Sequence, residues 1–175
     1  MAYKIIEPRA GLPVITSITS VASAGLINTT GIPVGTVVRA EDPTYGQGEF
    51  IYLAGASGTE VGNLVTYNSL TGATTKTPNT ANLAQPVAVA MSANTTATGL
   101  GWYQIGGTAV VKKTAAAVAP AVAIWLTSTT GRVSSTAASG KQVLGARTVN
   151  AATVAAGTST VSVVLDRPHL QGQTI

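Results

Sequence analysis

The chain has no cysteine, one histidine, one phenylalanine and two tryptophans. Without cysteine there is no disulfide, no thiolate metal site and no thiol nucleophile. Charge is scarce as well. Only 9% of the residues are charged, against about 25% in average globular proteins. So few charges leave a monomer poorly protected against association, which points to a component of an assembly. Disorder is excluded too, because 45% of the residues are apolar and disordered chains combine low hydrophobicity with high charge. Long helical runs are missing: only Ala115 to Ala123 is Ala-rich, and Pro120 interrupts it. No apolar run is long enough for a membrane span. Residues 12 to 27 come nearest, but Pro13 and several Ser and Thr break them up. The start, MAYKIIEPRAG, lacks the apolar core of a signal peptide. The expectation is a protein made in a cytosol, with no membrane partner.

What is present is Ala, Val, Thr and 19 Gly in 175 residues. That composition suits short strands joined by tight turns, and the length suits one ordinary domain or two very small ones. Residues 1–33 are punctuated by Pro8, Pro13 and Pro33 and read as an irregular N-terminal arm. Residues 34–175 read as a β domain. PVGTVVRA and EFIYLAG are strands around the turn-rich DPTYGQG. An internal repeat follows, over about 61–113 and 120–168. LVTYNSLTGATT (64–75) matches AIWLTSTTGRVS (123–134), with Thr-Gly at 71–72 and 130–131. PVAVAMSAN (86–94) matches VLGARTVNA (143–151), and GLGWYQIGG (99–107) matches TSTVSVVLD (158–166). The predicted fold is all-β: a small β-sandwich or barrel built from two similar β units.

Alternation assigns faces. Val161, Val163 and Leu165 point to the core, and so by repetition do Tyr103 and Ile105. Trp102 and Gln104 then point the other way, as do Thr66 and Trp125. An outward Trp in a chain poor in aromatics is a candidate interface anchor. The alternative is that this second face is also buried, between the two repeats.

Groups for chemistry are few. His169 stands three residues after Asp166, and no G-x-S-x-G elbow accompanies them. Glu41, Asp42 and Glu49 cluster in EDPTYGQGE, but without a calcium-loop pattern. No phosphate-binding glycine motif occurs. The expectation is no enzyme, no cofactor and no metal. The net charge is +4, and Val61 to Leu165 contains no carboxylate but six bases: Lys76, Lys112, Lys113, Arg132, Lys141 and Arg147. Only Lys112 and Lys113 are adjacent, which is too little for a nucleic-acid stripe. They read more simply as charges that blunt a strand end.

GEFIYLAGASGTEVGNLVTYN, QPVAVAMSA, GWYQIGGTAVVKK, IWLTSTTGRVS and VSVVLDRP together resemble the capsid decoration, or cement, proteins of tailed bacteriophages, including a group of short two-repeat β proteins. The resemblance covers roughly residues 30 to 168. It implies a non-enzymatic virion protein that binds the outer capsid surface, often as a homotrimer. Its partner would be the major capsid protein, and it would assemble in the host cytoplasm. The candidate contacts are Trp102, Gln104, Trp125, Lys112 and Lys113, with Ile5, Ile6 and Leu12 of the arm. A glycan-binding head-fibre or tail adhesion module is the second reading, in which exposed aromatics would stack on sugars.

Overall fold

The computed structural model describes residues 1–6, 12–17, 32–96 and 99–173, with the backbone of 18–20. These residues form twelve strands and no helix, so the chain is all-β as its composition predicts. The strands are β1 (Lys4–Ile5), β2 (Ile18–Ser20), β3 (Val37–Asp42), β4 (Gly46–Ala54), β5 (Leu64–Tyr67), β6 (Thr74–Lys76), β7 (Val87–Ala90), β8 (Gly99–Lys112), β9 (Ala123–Leu126), β10 (Val133–Ser134), β11 (Gln142–Thr148) and β12 (Thr160–Leu170). All strand pairings are antiparallel within one open sheet. Its main order is β1-β3-β4-β8-β12-β11-β9-β10.

The internal repeat is visible in the pairing. The first unit is ordered β6-β5-β7-β8 and the second β10-β9-β11-β12. Each opens with a hairpin whose Thr-Gly turn puts Gly72 and Gly131 at positive φ, which glycine adopts without steric cost. The register departs from the sequence alignment at β11. Val65 pairs with Ala88 as Ile124 pairs with Val143, and Leu64 pairs with Val89 as Ala123 pairs with Arg147. Leu144, Gly145 and Ala146 therefore have no counterpart in the first unit. They form an irregularity around Gly145, itself at positive φ.

The two units are not separate blocks, because β8 belongs to both. Its first half pairs with β7 and its second half with β12, while β4 runs along the opposite edge. Single parallel bridges then nearly close each unit into a ring. Ala54 meets Ala73 beside the first unit, and Lys113 meets Val133 beside the second. Inside the first ring lie Leu53, Val65, Ala88, Ala90, Tyr103 and Ile105. Ile124, Val143, Val163 and Leu165 line the second ring and join Leu64, Val87 and Val89 of the first unit in one larger core.

The face assignment from alternation holds for Tyr103 and Ile105. The expectation that Trp102 and Gln104 face outward is corrected: both are fully buried. Nor does the other repeat cover them. The cover is the N-terminal part of the chain, with β3 and β4. Trp102 packs in a cluster with Tyr3, Ile15, Val38, Phe50, Tyr52 and Met91. Its ring lies 4.9 Å from that of Tyr52, and its indole N–H donates to the carbonyl of Pro13 at 3.1 Å. Tyr3 packs edge-on against Phe50 and donates its hydroxyl to the carbonyl of Thr108 at 2.7 Å. The described residues of the segment read as an arm thus lie against the body. β1 pairs with β3, and β2 pairs with β8.

A buried indole carries a large share of this cluster's apolar contact. Trp102→Ala is expected to cost about 3–5 kcal/mol, read as a lowered urea midpoint. An unchanged midpoint would show that the cluster does not hold the fold.

Candidate interface

Each candidate contact residue has a definite place. Trp102 and Gln104 are enclosed in the aromatic cluster. The Gln104 amide donates to the carbonyls of Gly106 and Thr108, each at 3.0 Å. Lys113 is also buried, against the expectation of an exposed basic pair. Its ammonium donates to the carbonyls of Thr114 at 3.2 Å, Ala116 at 2.8 Å and Ala156 at 3.4 Å. Three donors meeting three acceptors make Lys113 a strut that ties β8 to the loop before β12. Lys112 pairs with Glu60, and this contact holds the Glu60 carboxyl below its ordinary range. Neither lysine is left as a free charge. Trp125 is half-buried, flanked across the strands by Ser134 and Gln142. Ile5 and Leu12 are half-buried against the aromatic cluster, while Ile6 is 42% exposed.

The possible chemical groups are scattered. Asp166 and His169 are exposed strand positions. Glu41 is exposed, whereas Glu49 pairs with Arg39 and Arg167. Asp42 is buried. Burial alone would raise its pKa, but backbone N–H groups of Ala2, Thr44 and Tyr45 donate to it, and the balance lowers it. Asp42 therefore acts as a pin. It orders the turn after β3 and holds the N-terminal strand in place. Among the described residues no three His, Asp or Glu side chains gather where they could hold a metal ion. No helix there is long and apolar enough to cross a membrane.

What the surface does offer is bare apolar side chains held on ordered backbone. Val14 is 65% exposed, in the turn next to the Pro13 carbonyl that binds Trp102. The Ser17 N–H and hydroxyl both bond to the Val14 carbonyl, at 3.0 and 2.7 Å. Ile6 continues the edge of β1, with its N–H bonded to the carbonyl of Arg39. On the far side of β4, Leu70 is 94% exposed at the tip of the β5–β6 turn. Beside it opens a cavity of about 220 Å³ with Val34, Ile51, Leu53 and Tyr67 in its wall. Sequence reasoning missed Leu70 and Val14. The repeat itself carried a signal for Leu70, since the second unit has Thr129 at that place in the same turn.

Compared with known protein families and with curated proteins, the chain matches none.

Two predictions follow from the buried charges. Lys113→Met leaves three carbonyls without their donor and is expected to lower stability by about 1–3 kcal/mol, measured by chemical denaturation. The folded pKa of Asp42 lies below its unfolded value, so its contribution is full above the ordinary carboxylate range and is lost as pH falls through the folded value. Asp42→Asn should unfold at lower temperature near neutral pH and then lose less on acidification than the wild type. Parallel pH profiles for the two proteins would refute the role of Asp42 as a pin.

Proposed function

We propose that this chain is a non-enzymatic structural protein of a tailed-phage head, binding the outer capsid surface and reinforcing it, with the major capsid protein as its partner. The observation that carries the reading is the build of the N-terminal segment. On one side it is pinned to the body by Trp102 to Pro13, Tyr3 to Thr108 and Ala2 to Asp42. On the other it presents Ile6 and Val14 to solvent. A staple needs this arrangement, because load taken by the outer contacts passes into a buried core. The low charge fits a protein whose surface is meant to be covered. The basic side chains that remain are dispersed, so the reading includes no nucleic-acid partner. Many copies on one particle turn modest contacts into firm attachment, since later contacts become effectively intramolecular. Self-association, in the form of a homotrimer, belongs to the same reading. The resemblance to decoration proteins supports it from the sequence side.

The test has two stages. Mass spectrometry of purified particles of the encoding phage is expected to find the chain at an abundance comparable to the major shell protein. A few copies per particle would indicate a fibre or tail component, and absence would end the proposal. Heads stripped of the chain should then rebind the purified wild type, while Ile6→Asp and Val14→Asp should each bind about tenfold more weakly or worse. Both positions are exposed, so both variants should keep the wild-type circular dichroism. Undiminished binding by both would move the docking face elsewhere.

A further inference from the structure

The bases between Val61 and Leu165 are dispersed along the chain, but the fold gathers three of them around one carboxylate. Backbone bonds draw the pieces together. The N–H of Gly131 donates to the carbonyl of Thr77 at 3.0 Å, that of Leu64 to Gly131 at 2.9 Å, and that of Lys112 to Gly62 at 2.8 Å. The Asn63 carboxamide oxygen accepts the Glu60 N–H at 2.9 Å, which fixes the turn that carries Glu60. Lys112 pairs with the Glu60 carboxylate. Arg132 donates to the carbonyl of Lys113, next in the chain to Lys112, at 3.3 Å. Lys76 reaches the residues just before Glu60: a side chain at Gly58 would lie 3.8 Å from its ammonium. All three cations are half-buried, while Glu60 is exposed. Their field is felt there, since the Glu60 carboxyl is held below its ordinary range by Lys112 first and then by Arg132 and Lys76. Among the described residues neither Arg132 nor Lys76 has an acidic partner of its own. Three cations against one carboxylate leave the patch positive.

We propose that this patch binds an acidic peptide segment of a partner protein, whose carboxylates take Arg132 and Lys76 as Glu60 takes Lys112. What the patch already holds decides between occupants. Glu60 shows that a carboxylate carried on a polypeptide fits among these cations, and the surplus charge attracts further ones. Glu60 also occupies the point where the three fields meet. A single phosphate finds that point taken, whereas carboxylates spaced along a peptide reach Arg132 and Lys76 separately. A nucleic acid would need a stripe of cations that tracks several phosphates, and here they surround one turn. Half-buried cations are already restrained, so they lose little entropy when a ligand fixes them. The site is independent of attachment to a phage head.

The test is a nuclear magnetic resonance titration of the purified full chain with hexaglutamate at low salt, with inorganic phosphate and a short DNA duplex in parallel. Hexaglutamate is expected to shift the amides around Glu60, Lys76, Lys112 and Arg132, and to lose affinity as salt rises. Lys76→Glu and Arg132→Glu should each weaken binding about fivefold or more, while Glu60→Gln should tighten it about threefold by removing the competing carboxylate. All three side chains reach solvent, so the variants should keep the wild-type spectrum away from the patch. A Glu60 that served only to brace Lys112 would give no tightening. That result, a failure to bind hexaglutamate, shifts scattered over the surface, or tighter binding of phosphate or DNA at the same amides would each overturn the proposal.

Discussion

Strand β8 offers two hydrogen-bonding edges, and four other strands are paired to them. β4 occupies one edge. β2, β7 and β12 share the other, in that order along the strand. β7 and β12 meet this edge end to end, at Tyr103–Gln104 and at Gly106–Lys112. The change comes between Gln104 and Gly107: the register against β4 skips Ile105. Gly107 has positive φ, and any side chain there would run into the backbone of Gln47. The irregularity at Ile105 and the glycine at 107 lie where the strand passes from the first unit to the second. The first eight residues of β8 are all buried, so this part of the strand has no face to spare for solvent.

That sharing shapes the surface. The first unit is covered twice. Its outer apolar residues join the core of the second unit, and the aromatics around Trp102 lie beneath the N-terminal segment and β3. No such cover lies over the second unit among the described residues, and its outer positions include Gln142, Arg147 and Ser162, which tolerate water, beside the half-buried Trp125. Among the described residues the most exposed large apolar side chains are Leu70 on the first hairpin and Val14 on the N-terminal segment, with Ile6, Val37, Val61 and Val149 less so. Each is an isolated apolar group on ordered backbone, and together they suit a protein that works by contact. The buried polar groups have internal tasks. Asp42 holds the N-terminal strand and Lys113 holds a loop, leaving both unavailable to partners.

The repeat was legible because its units share turn chemistry and alternation, both of which are local. The Thr-Gly turns at 71–72 and 130–131 align in structure as in sequence. The offset through β11 was not legible, since Leu144 to Ala146 are taken up in an irregularity around Gly145 that local patterning does not announce. The alternation of the second unit, carried over by the repeat, puts Tyr103 and Ile105 on their correct face. Period is silent about whether the opposite face is covered, and for that reason Trp102 and Gln104 were read as outward. The pairing of Lys112 with Glu60, 52 residues away, is equally invisible to a local reading.

The sequence by itself determined the class of fold, the two-unit organisation and the alternating faces, because strand propensity, turn residues and period two act over a few neighbours. Only the tertiary structure decided which face met water. Burial depends on what the rest of the chain lays over a strand. Here Pro13, Ile15 and Tyr3, about a hundred residues away in the chain, turned the most exposed-looking tryptophan into the centre of a core. The same long-range packing left Leu70 outside, because none of the described residues reaches over the turn that carries it.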